Sequence, residues 1–260
     1  MPRIVQLTDL HLLCDQTARL KNVPTWETFR DVCRHVRANA GEWDLMVLTG
    51  DLAHDELAET YALLREELGD WLPRCRLVPG NHDNRFGLRT VFSEIVPANE
   101  GFLSFSEEVA GWRILGVDSH WPAEIPGRIE REQLDWFTDQ LENHRDQPTL
   151  VFLHHPPISV NSPWLDKIGL ENPEAFQQLI TDHPQIQAVI TGHVHHVFQG
   201  KLGTADVLTS PSTAIQFEPQ GEDSSYTHDL PGYRIFDLDG ESYQTEVLRL
   251  DELRFPPVKE

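Results

Sequence analysis

Five apolar runs of strand length punctuate the chain, and each stops abruptly at Asp, Asn or His. The clearest is Asp44-Leu45-Met46-Val47-Leu48-Thr49, which halts at Gly50-Asp51. Ile4-Val5-Gln6-Leu7-Thr8 runs into Asp9-Leu10-His11, and Arg76-Leu77-Val78 into Pro79-Gly80-Asn81-His82-Asp83. Thr149–Leu153 ends at His154-His155-Pro156-Pro157, and Ala188–Thr191 at Gly192-His193-Val194-His195. A glycine lets the backbone turn without Cβ hindrance, so the residue that follows stands at the strand's end. Carboxyl ends of strands are where open α/β sheets gather their ligand-binding groups.

Between these runs the period changes to that of helices. Trp26, Phe29, Cys33, Val36 and Ala40 form one stripe after Thr25, a plausible cap, and Gly41 stops it. Leu57, Tyr61, Leu64 and Leu68 form a second, with Asp55 as its expected cap and Gly69 as its stop. Residues 130–143 carry Leu134, Phe137 and Leu141 on one side, and Asn172-Pro173 reads as a helix start. A strand pair is expected over Phe102–Phe105 and Trp112–Val117. After His195 short strands are expected near 196–200, 204–209, 213–217, 232–238 and 243–250. Helix-linked strands followed by a meander predict an α/β fold of two sheets packed face to face, with helices outside. No internal repeat or linker interrupts the pattern, so residues 1–260 read as a single domain.

Composition narrows the partners. A net charge of -21 gives no general attraction to nucleic acid or to anionic lipid, which argues against a nuclease that tracks a polymer. It also raises a difficulty for any phosphate substrate, since local cations would have to offset it. Three separated cysteines, Cys14, Cys33 and Cys75, suggest neither a disulfide framework nor a thiolate zinc site, and read as core residues. The N-terminus shows no signal peptide and no run is long enough to span a bilayer, so the expected compartment is cytoplasmic. The chain carries no signal of oligomeric state.

Seven side chains at the strand ends suit a pair of ions: Asp9, His11, Asp51, Asn81, His154, His193 and His195. Carboxylate, amide carbonyl and imidazole fit Mn, Fe, Zn or Co, and Asp51 is the natural carboxylate for two ions to share. The alternate spacing in Asp9-x-His11 and His193-x-His195 would place both members of each pair on one side of an extended backbone. Two such ions can clamp a phosphate and lower the pKa of a water between them, giving hydroxide for in-line attack. His82, beside Asn81 but not needed as a ligand, is placed to donate to the leaving oxygen. His54, His120 and His196 fall near the predicted mouth, whereas His35 and His144 are expected to be solvated. Trp121 and Trp164 sit in loops, where packing is preferred to stacking on a base.

Together, Asp9-x-His11, Gly50-Asp51, Gly80-Asn81-His82-Asp83, His154 and Gly192-His193-x-His195 resemble the signature of the calcineurin-like metallophosphoesterases. The resemblance implies a four-layer αββα sandwich and a dinuclear centre. One ion would be held by Asp9, His11, Asp51 and His195, the other by Asp51, Asn81, His154 and His193. His82 would contact the phosphate and assist the leaving group, with Asp83 orienting it; His155 is left unassigned. A narrower likeness extends along the chain. Gln6–Leu12, Phe152–Pro157, the tail Thr209–Phe217 and Pro231-Gly232-Tyr233-Arg234 resemble bacterial class III cyclic nucleotide phosphodiesterases. It implies hydrolysis of cyclic AMP to 5′-AMP, Fe or Mn as metals, and His11, Asp51, Asn81, His82 and His195 around the phosphate. A glycerophosphodiesterase or broad phosphodiesterase on the same centre is the alternative, and a non-catalytic metal-binding scaffold a more distant one.

Overall fold

The computed structural model describes residues 1–96 and 101–258. Two sheets face each other. The first has β1 (Arg3–Leu7), β2 (Leu45–Leu48), β3 (Cys75–Leu77), β10 (Gly232–Asp239) and β11 (Ser242–Arg249), in the order β11-β10-β1-β2-β3. The second has β4 (Phe105–Val109), β5 (Trp112–Gly116), β6 (Thr149–Phe152), β7 (Ile186–Thr191), β8 (Gln199–Leu202) and β9 (Ala205–Thr209), ordered β4-β5-β6-β7-β9-β8. In the first sheet β1, β2 and β3 pair in parallel out to the β3 edge, while β10 and β11 join antiparallel on the other side. In the second the parallel strands β5, β6, β7 and β9 lie in the middle with β4 and β8 antiparallel at the edges, so both sheets are mixed.

The period-2 alternation of each strand decides what it faces. In β2, Leu45 and Val47 join a core between the sheets, with Ile4, Leu150, Phe152, Ile190 and Phe236. Met46 and Leu48 point the other way, into a core shared with Trp26, Phe29 and Val36 of α1 (Thr25–Asn39) and Tyr61 and Leu64 of α2 (Ala58–Leu68). Leu88 of α3 (Arg85–Val91) joins that layer. On the far side Val151 and Val189 pack against Phe137 and Leu141 of α4 (Arg131–Asn143) and Phe176 and Ile180 of α5 (Glu174–Asp182). The result is helix, sheet, sheet, helix, as expected.

Several local expectations change. Leu57 precedes α2 rather than lying on its stripe and is 45% exposed. Asp55 is not the cap residue, although its carboxylate accepts from the Leu57 N–H and the Thr60 hydroxyl. The strand expected at 102–105 is instead Phe105–Val109: Ala110 and Gly111, at φ 50° and 87°, form the two-residue turn, so Glu107 and Glu108 stay in the ladder. Asn172 does not cap α5, because its side-chain amide pairs with both backbone groups of Ile129. No strand forms at 213–217. Thr213 N–H goes to Thr8, Phe217 N–H to His195, and the Ile215 carbonyl to the His195 ring, leaving no ladder to join. His35 and His144 are half-buried rather than solvated, with Nδ1 atoms 3.1 Å from the Tyr233 hydroxyl and 2.7 Å from the Gln140 carbonyl.

Parallel register brings the strand ends level, Leu7 beside Leu48 in one sheet and Phe152 beside Ile190 in the other. Gln6 ties the two sheets at that level. Its side chain donates to Thr49 Oγ1 (2.8 Å) and the Thr191 carbonyl (3.2 Å) and accepts from Ser210 Oγ (2.5 Å). The buried Arg234 in turn donates to Ser210 Oγ and the Thr209 carbonyl.

Candidate metal centre

The turns after these strands are tightly wound. Asp9 (φ 53°), His11 (47°), Asp51 (52°), His193 (69°) and His195 (48°) all occupy the left-handed region that side chains other than glycine seldom enter. The pairs Asp9/His11 and His193/His195 are therefore not presented by extended backbone, as their spacing suggested. Each such residue costs roughly 1–3 kcal/mol, so the surrounding contacts must hold it in place. Close approach explains two glycines. A Cβ on Gly50 would lie 2.5 Å from Gly80 N, and one on Gly80 would lie 2.2 Å from Asp51 Oδ1.

Asp9, His11, Asp51 and His195 converge, with one ligand atom from each within 4.8 Å of the others. His195 Nε2 is 3.2 Å from Asp9 Oδ1 and 3.1 Å from His11 Nε2, which is 3.5 Å from Asp51 Oδ2. Beside them, His154 Nε2 lies 3.4 Å from the other Asp51 oxygen and 4.0 Å from Asp9 Oδ1. His193 Nδ1 meets Asn81 Oδ1 at 3.0 Å. Asp51 thus faces histidines of both groups, one through each oxygen. All seven expected ligands are brought together.

The proton inventory says what belongs among them. His195 Nδ1–H donates to the Ile215 carbonyl (2.7 Å) and His154 Nδ1–H to the Thr49 carbonyl (2.7 Å). In the neutral ring, each Nε2 then keeps a bare lone pair aimed at carboxylate oxygens. Acceptors facing acceptors need a cation between them. Nε2 of His154 and of His193 are buried without a hydrogen-bond partner, which points the same way. Burial opposes charge on His193, lowering it to about 3, and drives His11 down as well, so both are neutral at pH 7, as a metal ligand has to be. Burial alone would raise Asp51, but the His154 imidazole holds it well below the usual carboxylate range. The reciprocal effect on His154 overcomes its own burial and lifts it to about 9. A proton there neutralises carboxylate charge that a divalent ion would neutralise better. The residues fit metal ions.

His155 does not belong to this set despite lying close to His154 and His193. Both of its nitrogens are engaged, Nδ1 with Ser119 Oγ (2.8 Å) and Nε2 with the Ile125 carbonyl (3.0 Å). Asp83 is also not where the sequence suggested. It is buried, and no hydrogen bond links it to the His82 ring among the described residues. Its carboxylate accepts from Gly80 N–H (2.9 Å), Leu52 N–H (3.1 Å), Ala53 N–H (3.3 Å) and the Tyr61 hydroxyl (3.1 Å). It clamps the loops after β2 and β3 together. His82 is half-buried beside His11, ring centroids 5.1 Å apart, and its backbone N–H donates to Asp51 Oδ1 at 2.8 Å. His120 and His196 are buried rather than open at the mouth. Trp164 packs on Phe217 and donates to the Glu218 carbonyl, in line with a packing role.

Sequence reasoning missed the supports. The 209–217 tail carries no ligand, yet Ser212 Oγ donates to the Asp9 carbonyl (2.7 Å), and Ile215 fixes the His195 tautomer. Phe217 lies flat on the His195 ring at 3.9 Å and 6°. The His193 backbone N–H donates to both Asp9 oxygens at 3.1 Å. A backbone carbonyl has no sequence signature; for the tail, the likeness to the phosphodiesterases was the only available signal.

Comparison with known proteins agrees with this geometry. The calcineurin-like phosphoesterase family matches residues 2–197. The chain is 32% identical to the 3′,5′-cyclic adenosine monophosphate phosphodiesterase CpdA of Pseudomonas aeruginosa, over 97% of this chain and 91% of that protein. It is 33% identical to a 3′,5′-cyclic-nucleotide phosphodiesterase of Nostoc, over 95% of this chain and 92% of the relative. A dimetal phosphatase from Danio rerio has a similar fold at a TM-score of 0.66 and 14% identity, covering 96% of this chain and 99% of that one. The purple acid phosphatase of yellow lupin does so at 0.68 and 13% identity, covering 98% and 52%. The chain belongs to the calcineurin-like phosphoesterase family.

Proposed function

We propose that this chain is a metal-dependent phosphodiesterase that hydrolyses 3′,5′-cyclic AMP to 5′-AMP. The observation that carries the reading is the extent of its likeness to cyclic AMP phosphodiesterases. That likeness runs over 255 residues, past the family's match at 197, and so takes in the tail that supports Asp9 and His195 from behind. In this reading Asp9, His11, Asp51 and His195 hold one ion, and Asp51, Asn81, His154 and His193 hold the other, with Asp51 shared. Fe or Mn fits this nitrogen and oxygen donor set, and Zn or Co are the other candidates. When bound, such ions supply Lewis-acid polarisation of the phosphate and a water of lowered pKa.

The chain's own residues do the rest. His11, Asn81, His82, His195 and Asp51 surround the place where the phosphate sits. His82 lies at the half-open edge of this group, held to Asp51 through its backbone N–H, and donates a proton to the departing 3′ oxygen. Asp83 acts through the loops it clamps, as a positioning residue. No helix of the described residues is long and apolar enough to cross a membrane. A cytoplasmic enzyme acting through a single domain on a small diffusible nucleotide accords with the three free cysteines.

The test is a substrate panel with Mn²⁺-loaded protein. Relative kcat/KM for 3′,5′-cyclic AMP, 2′,3′-cyclic AMP and glycerophosphodiesters should rank the first highest, with 5′-AMP as product. A higher value for a glycerophosphodiester would move the substrate assignment to that class while leaving the centre in place.

A further inference from the structure

We propose that His54 is a positioning residue for this centre, accepting the Nδ1–H of His11 while its ring face holds His82 in place. The inference rests on the phosphodiesterase reading above. His54 lies three residues beyond Asp51 in the turn after β2, where its backbone N–H donates to the Leu12 carbonyl at 2.7 Å. That bond ties the loop carrying His54 to the loop carrying His11. The two Nδ1 atoms are 3.2 Å apart, so one of them carries a hydrogen.

Which one follows from the other edge of the His11 ring. His11 Nε2 faces Asp51 Oδ2 and His195 Nε2, so it is the ligand atom and must be bare. A neutral imidazole then has its proton on Nδ1, and His54 Nδ1 receives it. Ligating histidines almost always have such a partner for the second nitrogen, usually a carboxylate, carbonyl or water. His154 has the Thr49 carbonyl and His195 the Ile215 carbonyl. His11 has His54, which leaves the His54 proton on Nε2.

The same ring does a second job. It stacks on His82 with centroids 4.6 Å apart and planes 28° from parallel, while His11 meets His82 edge-on at 72°. His82 is half-buried, and His54 supplies a flat wall against which its ring rests. One residue thereby links the tautomer of a metal ligand to the aim of the proton donor.

Two substitutions separate these jobs. H54N keeps an acceptor oxygen near the Nδ1 position and removes the ring; H54F keeps a ring and removes the acceptor. Mn²⁺ affinity is read by competition with a chromophoric chelator, without substrate. H54F should bind Mn²⁺ about ten- to a hundredfold more weakly, with H54N within about threefold of wild type. At saturating Mn²⁺, H54N should lower kcat for cyclic AMP by about tenfold or more with little change in KM. That loss should shrink for a nitrophenyl diester, whose leaving group needs no proton. Wild-type Mn²⁺ affinity in H54F would overturn the proposal, as would parallel losses of both properties in H54N and H54F. If wild-type protein itself bound no Mn²⁺ or cleaved no phosphodiester, the reading beneath it would fail instead.

Discussion

Asp83 shows how a single side chain can be conspicuous in sequence and yet act elsewhere than adjacency suggests. Gly80-Asn81-His82-Asp83 placed it next to the expected proton donor, but side chains of neighbouring loop residues diverge, and its carboxylate reaches back to Leu52, Ala53 and Gly80. Burial and then the Asp51 charge push it up to about 7. Substitution to Asn would relieve that charge but turn an amide N–H₂ towards backbone donors. Orphaned buried donors cost about 1–3 kcal/mol, and this outweighs the relief. Asp83→Asn is therefore expected to be less stable than wild type in urea titration; equal or greater stability would show that the clamp is dispensable. The seven converging side chains were legible as candidate ligands because their residue types have few other reasons to recur at strand ends. Their supports were not, since Thr49 and Ile215 act through carbonyls that every residue possesses.

At the level of elements, the central strands announced themselves through continuous apolar runs and abrupt ends, and α1 through its stripe of Trp26, Phe29, Cys33, Val36 and Ala40, all buried. What failed were segments whose backbone serves the site instead of a sheet. Residues 213–217 have strand-like composition, but their hydrogen bonds go to Thr8 and His195. Asn172 has cap chemistry, yet it is engaged by Ile129. Propensity reads local preference, and here longer-range partners override it. The strand-end turns carry a sharper prediction. Gly50 sits at φ 91° with no room for a Cβ between Gly80 and His154. Gly50→Ala should lose at least about 1–3 kcal/mol of stability and shift Asp51 enough to weaken Mn²⁺ binding. A variant with wild-type melting temperature and wild-type metal affinity would refute that reading of the turn.

For the whole molecule, the two-sheet architecture followed from helix-linked strands early and short strands late. The pairing within it did not: the late strands divide, β8 and β9 completing one sheet and β10 and β11 the other. Gln6, Ser210 and Arg234 show what joins them, a buried polar network that no periodicity reveals. The charge of -21 makes sense at this scale as well. The net charge repels an anionic substrate, and two cations held among the strand ends would offset that repulsion locally. The claim on which everything rests is that Asp51 is shared between those two ions. Metal counted per chain by mass spectrometry, after loading with Mn²⁺ and removal of excess, tests it directly. Wild type should hold two ions and Asp51→Asn at most one; a single ion in wild type, or two in the variant, would contradict the account.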